Sequence, residues 1–216
     1  MNVETNRLII RDLIADDAQA IYDIKYDRQV QLYIPDYIKN NATIDDIKEK
    51  ISYCIANKNT GNFEQEIFYP VILKSTKEII GTVTVSKLAF LYEIQIGWQI
   101  RSEYTNNGYA SEAGRAVSDE LLEKFGIDYL AVVMNIDNPA SFKTAIKSGF
   151  KFFEKRIGYD YHYGDIDAAD FEALSEYMIK KQNGIESPYF YFRKFNPKSK
   201  ITSQFYGDVK YEGRFA

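Results

Sequence analysis

The sequence predicts a mixed α/β domain in which antiparallel strands come first and strand–helix units follow. Three observations lead to this fold class. Residues 66–74, 78–88 and 91–100 are consecutive strand-like runs, and a short polar turn between the first two is typical of a hairpin. Residues 129–135 (YLAVVMN) form a continuous apolar run, as in a central buried strand. Helical patterns lie on both sides of that run, which is typical of strand–helix units.

The N-terminal part predicts one strand and two helices. Residues 7–13 (RLIIRDL) alternate and are rich in β-forming residues, so they predict a strand. Asp16 and Asp17 stand where the cap of a first helix belongs, and Thr43 is expected to cap a second one. The apolar stripe of the second helix consists of Ile44, Ile47, Ile51, Cys54 and Ile55. Cys54 is therefore expected to be a core thiol, because free cysteine is usually buried.

The C-terminal half alternates between helices and strands. One helix begins near Ala110 and is expected to end at Gly126, since glycine is the usual residue just past a helix. Another runs from Pro139 to Ser148, and a strand at 150–159 follows it. A further helix, a last strand and a tail without a period are expected at 167–181, 188–195 and 196–216.

Composition removes several classes of function. The 27 basic and 31 acidic side chains give a net charge of −4 with no long run of one sign, so no nucleic-acid partner is expected. No apolar run approaches the ~20 residues of a membrane span, so no membrane partner is expected. One cysteine and one histidine, Cys54 and His162, cannot build a His/Cys zinc cluster, and no metal is expected. A lone cysteine and no visible secretory signal favour a cytoplasmic location.

The segment TNNGYASEAG (105–114) links the strand at 91–100 to the following helix. Asn106, Asn107 and Gly108 adopt left-handed backbone angles at low cost. Backbone N–H groups at a helix N-terminus are unpaired and carry roughly half a positive charge. The segment therefore predicts either a plain loop or a site for a pyrophosphate. The patterns G-x-x-x-x-G-K-[ST] and G-x-G-x-x-G are both absent.

A second segment, NIDNPASFKTAIKSGF (135–150), predicts a helix with a sharply defined start. Asn138 caps it, and Pro139 occupies the first helical position. Gly149 then ends the helix. This structural interpretation explains every residue except Ser141, which faces the same end as the cap.

Together the two segments resemble the GNAT superfamily of acyl-CoA N-acyltransferases, and most closely its branch of ribosomal-protein N-terminal acetyltransferases (the Rim type). The shared order is strand, GYASEA, helix, strand, NPAS, helix, GF. The opening segment 4–24 and the segments IIGTVTV (79–85) and IGWQI (96–100) are also similar to that branch. The resemblance spans roughly residues 4–163 and resumes near 188–195.

The resemblance implies a mostly antiparallel sheet of about six to seven strands, flanked by helices and splayed between strands four and five. It implies one acyl-CoA N-acyltransferase domain over residues 1–195, with a helical insertion at about 164–187, followed by a C-terminal tail at 196–216. A monomer or homodimer is expected.

The resemblance also implies that acetyl-CoA binds as cosubstrate. The phosphate-binding loop of the family has the sequence pattern Q/R-x-x-G-x-G/A. Gly108 and Ala110 match the last two fixed positions of this pattern. Thr105 replaces the Gln or Arg, and Asn106 stands where many relatives have an additional glycine. The fourth strand is implied to hold the pantetheine arm through its backbone. The implied cofactor-binding residues are Trp98, Ile100, Asn106, Asn107, Gly108, Tyr109, Ala110, Ser111 and Asn138.

In the family the amine attacks the thioester directly, without an acyl-enzyme. Many relatives carry a tyrosine acid seven residues after the capping asparagine, but that position is Ala145 here. The Rim-type branch implies Ser141 as proton donor to the thiolate; the alternative is a first-turn serine that satisfies a backbone amide. As base it implies Asp160, with Glu93 and His162 as further candidates. Asp160 as an ordinary strand-end acid stays open as well.

The acceptor is implied to be a primary amine. Gln95 stands where many relatives carry a catalytic glutamate, which indicates a weak base. An α-amine has a reference pKa near ~7.8 and lysine near ~10.4, so deprotonating lysine costs roughly 3.5 kcal/mol more at neutral pH. This favours a protein N-terminus or an amino-acid amine, with other small amines open. The alternative function is a non-catalytic acyl-CoA-binding sensor or scaffold, given the replacements at Thr105, Asn106, Gln95 and Ala145.

Overall fold

The computed structural model describes residues 1–34, 41–88, 93–158 and 187–200. Within these ranges, eight strands form one sheet in the order β1-β2-β3-β4-β5-β6-β8-β7. Their bounds are β1 Asn2–Glu4, β2 Leu8–Arg11, β3 Ile67–Leu73, β4 Ile79–Leu88, β5 Glu93–Ile100, β6 Tyr129–Asn135, β7 Lys151–Gly158 and β8 Ser187–Phe195. All neighbouring strands are antiparallel except the pair β5 and β6. The mostly antiparallel sheet of the sequence prediction is confirmed.

Helices cover both faces of this sheet. Their bounds are α1 Ala18–Lys25, α2 Arg28–Gln31, α3 Ile44–Asn57, α4 Tyr109–Phe125 and α5 Pro139–Lys147. On one face, Nζ of Lys25 in α1 lies 4.2 Å from the ring centroid of Phe68, which pairs with Thr84 of β4. On the other face α4 approaches the ring of Trp98, which pairs with Val83. Thr84 and Val83 are adjacent on β4 and therefore point to opposite faces.

The apolar stripe predicted for α3 is buried against the sheet. Ile47, Ile51 and Cys54 are each at most 2% exposed, while Ile44 and Ile55 are partly buried against the same core. Burial raises the pKa of the Cys54 thiol, so the thiolate is disfavoured. The interpretation of Cys54 as a core thiol is confirmed.

The parallel strands β5 and β6 are joined at one end only. Among the described residues their ladder consists of a single pairing, Gln95 with Ala131. From there toward Ile100 and Asn135 the described residues of the two strands make no further pairing, so the strands splay apart. The short strand β1 has no counterpart in the prediction, so each later strand has a number one higher here than in the predicted order. The predicted splay between strands four and five therefore lies between β5 and β6.

The two loops singled out in the sequence lie at the same end of the sheet. Strands β5, β6 and β7 run in the same direction, so each finishes at this end, whereas β2 begins there. We call it the open end, defined by Leu8 of β2 and by Ile100, Asn135 and Gly158. The splay between β5 and β6 widens toward it.

Asp17 does not cap α1 as expected. Its buried carboxylate accepts hydrogen bonds from the Arg11 guanidinium at 2.7 and 2.8 Å and from the Ile14 amide at 2.9 Å. The ion pair therefore fixes the 3-10 turn Ala15–Asp17 that precedes α1.

The predicted insertion at 164–187 and its helix at 167–181 lie outside the described residues, except for Ser187 at the start of β8. Residues 201–216 of the predicted tail lie outside them too. Asn196 packs with the domain, because its amide donates to the Leu122 and Ile127 carbonyls at 2.8 and 3.2 Å. Across the described ranges, no helix is long and apolar enough to cross a membrane. The same ranges contain no group of His, Cys, Asp or Glu suited to a metal ion.

Candidate active site

The loop between β5 and α4 has two residues with left-handed backbone angles. Asn106 has a φ of 62° and Gly108 a φ of 79°. Asn107 does not have a positive φ; its side chain instead donates to the carbonyls of Tyr104 and Thr105 at 3.3 and 3.0 Å. Asparagine and glycine reach left-handed angles at the lowest cost, which explains why the chain turns here.

This turn leaves a row of backbone N–H groups available at the start of α4. Within the part of the chain that the structure describes, the amides from Asn106 to Ser111 find no acceptor. The first bond of the helix runs from the Glu112 amide to the Gly108 carbonyl at 3.1 Å. Because α4 has 17 residues, its N-terminus carries roughly half a positive charge. Adjacent free amides and this charge suit a pyrophosphate.

Arg7, in the turn before β2, lies against the same loop. Its Nη1 donates to the Asn107 carbonyl at 2.9 Å, and Nε and Nη2 bind the Glu112 carboxylate at 2.7 and 2.6 Å. Its guanidinium lies 4.5 Å from the ring centroid of Tyr109. Burial alone would raise the pKa of Glu112, but hydrogen bonds from Thr5 and Arg7 outweigh it and lower that pKa. These contacts fix the first turn of α4 to the beginning of β2.

Asp27 fixes the beginning of the loop. It caps α2, where its carboxylate accepts from the Gln29 amide at 2.8 Å. The same carboxylate accepts from the Ser102 amide at 2.9 Å and from the Ser102 hydroxyl at 2.6 Å. Burial would raise the pKa of Asp27, but the hydrogen bonds from Ser102 and the α2 amides lower it. The α1–α2 segment is thereby linked to the loop.

The last residues of β5 present their backbone to the splay. The Arg101 amide donates to the Ile80 carbonyl of the adjoining strand β4 at 2.9 Å. Successive residues of a strand direct their polar backbone groups to alternate sides. The N–H and C=O groups of Trp98 and Ile100 therefore point away from β4, toward the gap left by β6. An extended amide-containing chain such as pantetheine can hydrogen-bond there.

The second loop places Asn138 and Ser141 at the open end. Asn138, which is 8% exposed, caps α5 by accepting from the Ser141 amide at 3.0 Å, and Pro139 occupies the first turn. The half-buried Ser141 hydroxyl makes no hydrogen bond within the described ranges. The hydroxyl is therefore not needed for capping. Ala145, in place of the tyrosine, is fully buried.

Glu93 lies at the opposite end of β5. Its buried carboxylate forms an ion pair with Arg193 and accepts from the Tyr129 hydroxyl at 3.1 Å. Ile100 lies seven positions after Glu93 on the strand, roughly 23 Å away at ~3.3 Å per residue. This geometry indicates a structural ion pair and disfavours Glu93 as the catalytic base.

The other two candidate bases, Asp160 and His162, lie outside the described residues. The described part of β7 ends at Gly158, at the open end. Gln95, beside the splay, donates to the Ser86 hydroxyl at 3.2 Å. The structure thus places the loop residues 106–111, the end of β5, Asn138 and Ser141 at the open end of the sheet. Glu93 lies at the opposite end.

Comparison with known proteins gives related sequences and structures. A family model described as an acetyltransferase (GNAT) domain matches residues 7–151. The chain is 31% identical over 160 residues to "Uncharacterized N-acetyltransferase YnaD" of Bacillus subtilis (strain 168), an overlap of 73% of this chain and 88% of that protein.

Solved structures share the fold at low identity. An acetyltransferase (GNAT family) from Bacillus anthracis is similar with a TM-score of 0.64 and 21% identity, over 91% of this chain and 99% of that one. RimL, a ribosomal L7/L12 alpha-N-protein acetyltransferase in complex with coenzyme A, is similar with a TM-score of 0.66 and 13% identity, over 90% and 98% of the two chains. The family match covers more than half of the 216 residues and includes both loops of the site. The chain therefore belongs to the GNAT family of acetyltransferases.

Proposed function

We propose that the protein transfers the acetyl group of acetyl-CoA to a primary amine, which attacks the thioester directly. The acceptor is a protein N-terminus or a small amine. The observation that carries this proposal is the row of free amides from Asn106 to Ser111, placed beside the splay of β5 and β6. The similar RimL structure in complex with coenzyme A supports the same cosubstrate.

The residues of the open end fit coenzyme A. We assign its pyrophosphate to the amides between Asn106 and Ser111, where Gly108 leaves the approach free of a side chain. Among the described residues, a Cβ placed on Gly108 would have only Arg7 within 4 Å, at 3.6 Å. We assign the pantetheine arm to the outward backbone groups of Trp98 and Ile100, with Asn138 across the splay. Acetyl-CoA supplies the acetyl group as a thioester when it binds.

Two proton transfers are assigned to residues of this chain. The Ser141 hydroxyl, which is free of hydrogen bonds within the described residues, donates its proton to the departing thiolate sulfur. Asp160 accepts the proton of the attacking amine, directly or through a water. Asp160 is assigned by resemblance, and the engagement of Glu93 with Arg193 supports it over Glu93.

A weak base favours an acceptor that is already partly neutral. An ordinary aspartate has a pKa near ~3.9. The attacking amine of the acceptor must lose a proton whose pKa is near ~7.8 for an α-amine or ~10.4 for a lysine. On the order of a tenth of an α-amine is neutral at pH 7, and far less of a lysine. An α-amine therefore needs little help from Asp160, and we propose it as the acceptor group.

The test combines calorimetry with a panel of amines. Acetyl-CoA is first titrated into the protein, and acetyl transfer is then followed by mass spectrometry. The panel contains lysine-free peptides with a free N-terminus, N-terminally blocked peptides with one lysine, amino acids, polyamines and aminoglycosides. We expect binding, and transfer to an α-amine but not to the blocked peptides.

Two outcomes would contradict the proposal in different ways. Binding of acetyl-CoA without transfer to any amine would identify a non-catalytic acyl-CoA-binding protein. Absence of binding would overturn the assignment of the cosubstrate.

A further inference from the structure

We propose that Arg7 is a positioning residue for the pyrophosphate of acetyl-CoA. It acts in two ways: it fixes the orientation of the Asn107–Gly108 peptide, and it neutralises Glu112 beside the free amides. This inference rests on the proposed function, because it concerns the same site. Arg7 is 100 residues away from the loop in sequence.

The first effect follows from the geometry of a trans peptide. The C=O and the following N–H of one peptide lie in a plane and point in opposite directions. Nη1 of Arg7 binds the Asn107 carbonyl at 2.9 Å, and this contact directs the Gly108 amide away from Arg7. Glycine has the widest backbone freedom, so without this contact the peptide before Gly108 can rotate. Rotation would direct the Asn107 carbonyl oxygen toward the pyrophosphate in place of the Gly108 N–H donor. This oxygen would repel the anion.

The second effect concerns charge. Glu112 lies in the first turn of α4, where a carboxylate stabilises the helix start. The same negative charge opposes a pyrophosphate bound to amides one turn away. Arg7 cancels it through two contacts at 2.7 and 2.6 Å, and Thr5 donates its hydroxyl to the other carboxylate oxygen. Removing Arg7 alone would therefore leave an uncompensated carboxylate beside the site.

The Arg7 side chain is held in place by several contacts although it is 46% exposed. Its guanidinium is held by the Asn107 carbonyl, by Glu112 and by the face of Tyr109. Its Nη2 lies 3.6 Å from the place of a Cβ on Gly108. A charge fixed at this place is oriented before the ligand arrives, which lowers the cost of binding.

The experiment compares Arg7→Gln, Glu112→Gln and the double variant with the unaltered protein. Dissociation constants are measured by calorimetry for acetyl-CoA and for S-acetylpantetheine, which has no pyrophosphate. Arg11→Gln is the matched control, because Arg11, at the end of β2 opposite to Arg7, forms a similar ion pair with Asp17.

We expect Arg7→Gln to weaken acetyl-CoA binding about tenfold, equal to about 1.4 kcal/mol. The dissociation constant of S-acetylpantetheine should stay the same. The double variant should recover part of the loss, because it removes the uncompensated carboxylate. Glu112→Gln alone should bind acetyl-CoA as tightly as the unaltered protein or more tightly, and Arg11→Gln should leave the affinity unchanged.

Three results would overturn the inference while the proposed function stands: undiminished acetyl-CoA affinity in Arg7→Gln, an equal loss for S-acetylpantetheine, or no recovery in the double variant. If Arg7→Gln fails to fold, weaker acetyl-CoA binding by Glu112→Gln would contradict the charge argument, and equal or tighter binding would support it. No acetyl-CoA binding by the unaltered protein would overturn the proposed function itself.

Discussion

Replacing Gly108 by alanine tests whether the left-handed turn shapes the pyrophosphate site. Gly108 has a φ of 79°, and within the described ranges an added Cβ would meet only Arg7, at an ordinary contact distance of 3.6 Å. An alanine side chain at position 108 would therefore collide little with its surroundings. Its free-energy cost comes from the left-handed backbone angle. A left-handed residue with a side chain costs roughly 1–2 kcal/mol relative to glycine. If the loop relaxes to relieve that strain, restoring it on binding weakens acetyl-CoA affinity by roughly 5- to 30-fold.

Gly126→Ala provides the matched control. Gly126 has a φ of 61° at the other end of α4, and an added Cβ there would meet no described residue within 4 Å. Both variants should lose similar stability, with a fall in Tm of roughly 2–4 °C per kcal/mol for a chain of this size. Calorimetry should show weaker acetyl-CoA binding in Gly108→Ala only. Equal affinity in the two variants would refute the role of the turn, and a β-branched valine at 108 should abolish binding if that role is correct.

Four further variants test the loop, the proton transfers and the link to α2. Asn106→Gly should leave acetyl-CoA affinity unchanged or slightly better; a tenfold loss measured by calorimetry would show that the asparagine side chain contacts the ligand. Ser141→Ala should lower kcat roughly 10²-fold without changing acetyl-CoA affinity, and near-normal turnover would remove it as the acid. Asp160→Asn should steepen the dependence of kcat on pH, and an unchanged profile would remove Asp160 as the base. Hydrogen bonds lower the pKa of Asp27, so its stabilisation is present above its unfolded pKa, ~3.9, and is lost as pH falls through the lower folded value. Asp27→Asn should therefore lower Tm at neutral pH. The Tm of this variant should also decrease less on acidification than the Tm of the unaltered protein, and an unchanged pH dependence of Tm would contradict this.

The parts of the fold predicted correctly depend on local sequence signals. Asn138 and Pro139 define the start of α5 within two residues, and the structure has both in the expected roles. Gly126 ends α4 with a left-handed φ, as its position after the helical pattern indicates. The short β1 was missed, because three residues are too few to show a period of two.

The parts of the site that could not be predicted depend on contacts between distant segments. Asp27 and Ser102 are 75 residues apart, and only the topology brings them together. Glu93 is on the expected strand, but its ion pair with Arg193 of β8 could not be read from the residues around it. The left-handed φ of Asn106, in contrast, could be predicted from the sequence, because the tolerance of asparagine for such angles is a property of the residue itself.

A crystal structure of the protein with acetyl-CoA tests the central claim most directly. The account predicts pyrophosphate oxygens at roughly 2.7–3.2 Å from backbone nitrogens between Asn106 and Ser111. It also predicts the pantetheine arm along Trp98 and Ile100, with its thioester near the Ser141 hydroxyl. A pyrophosphate bound elsewhere, with these amides facing solvent and the splay of β5 and β6 empty, would contradict it.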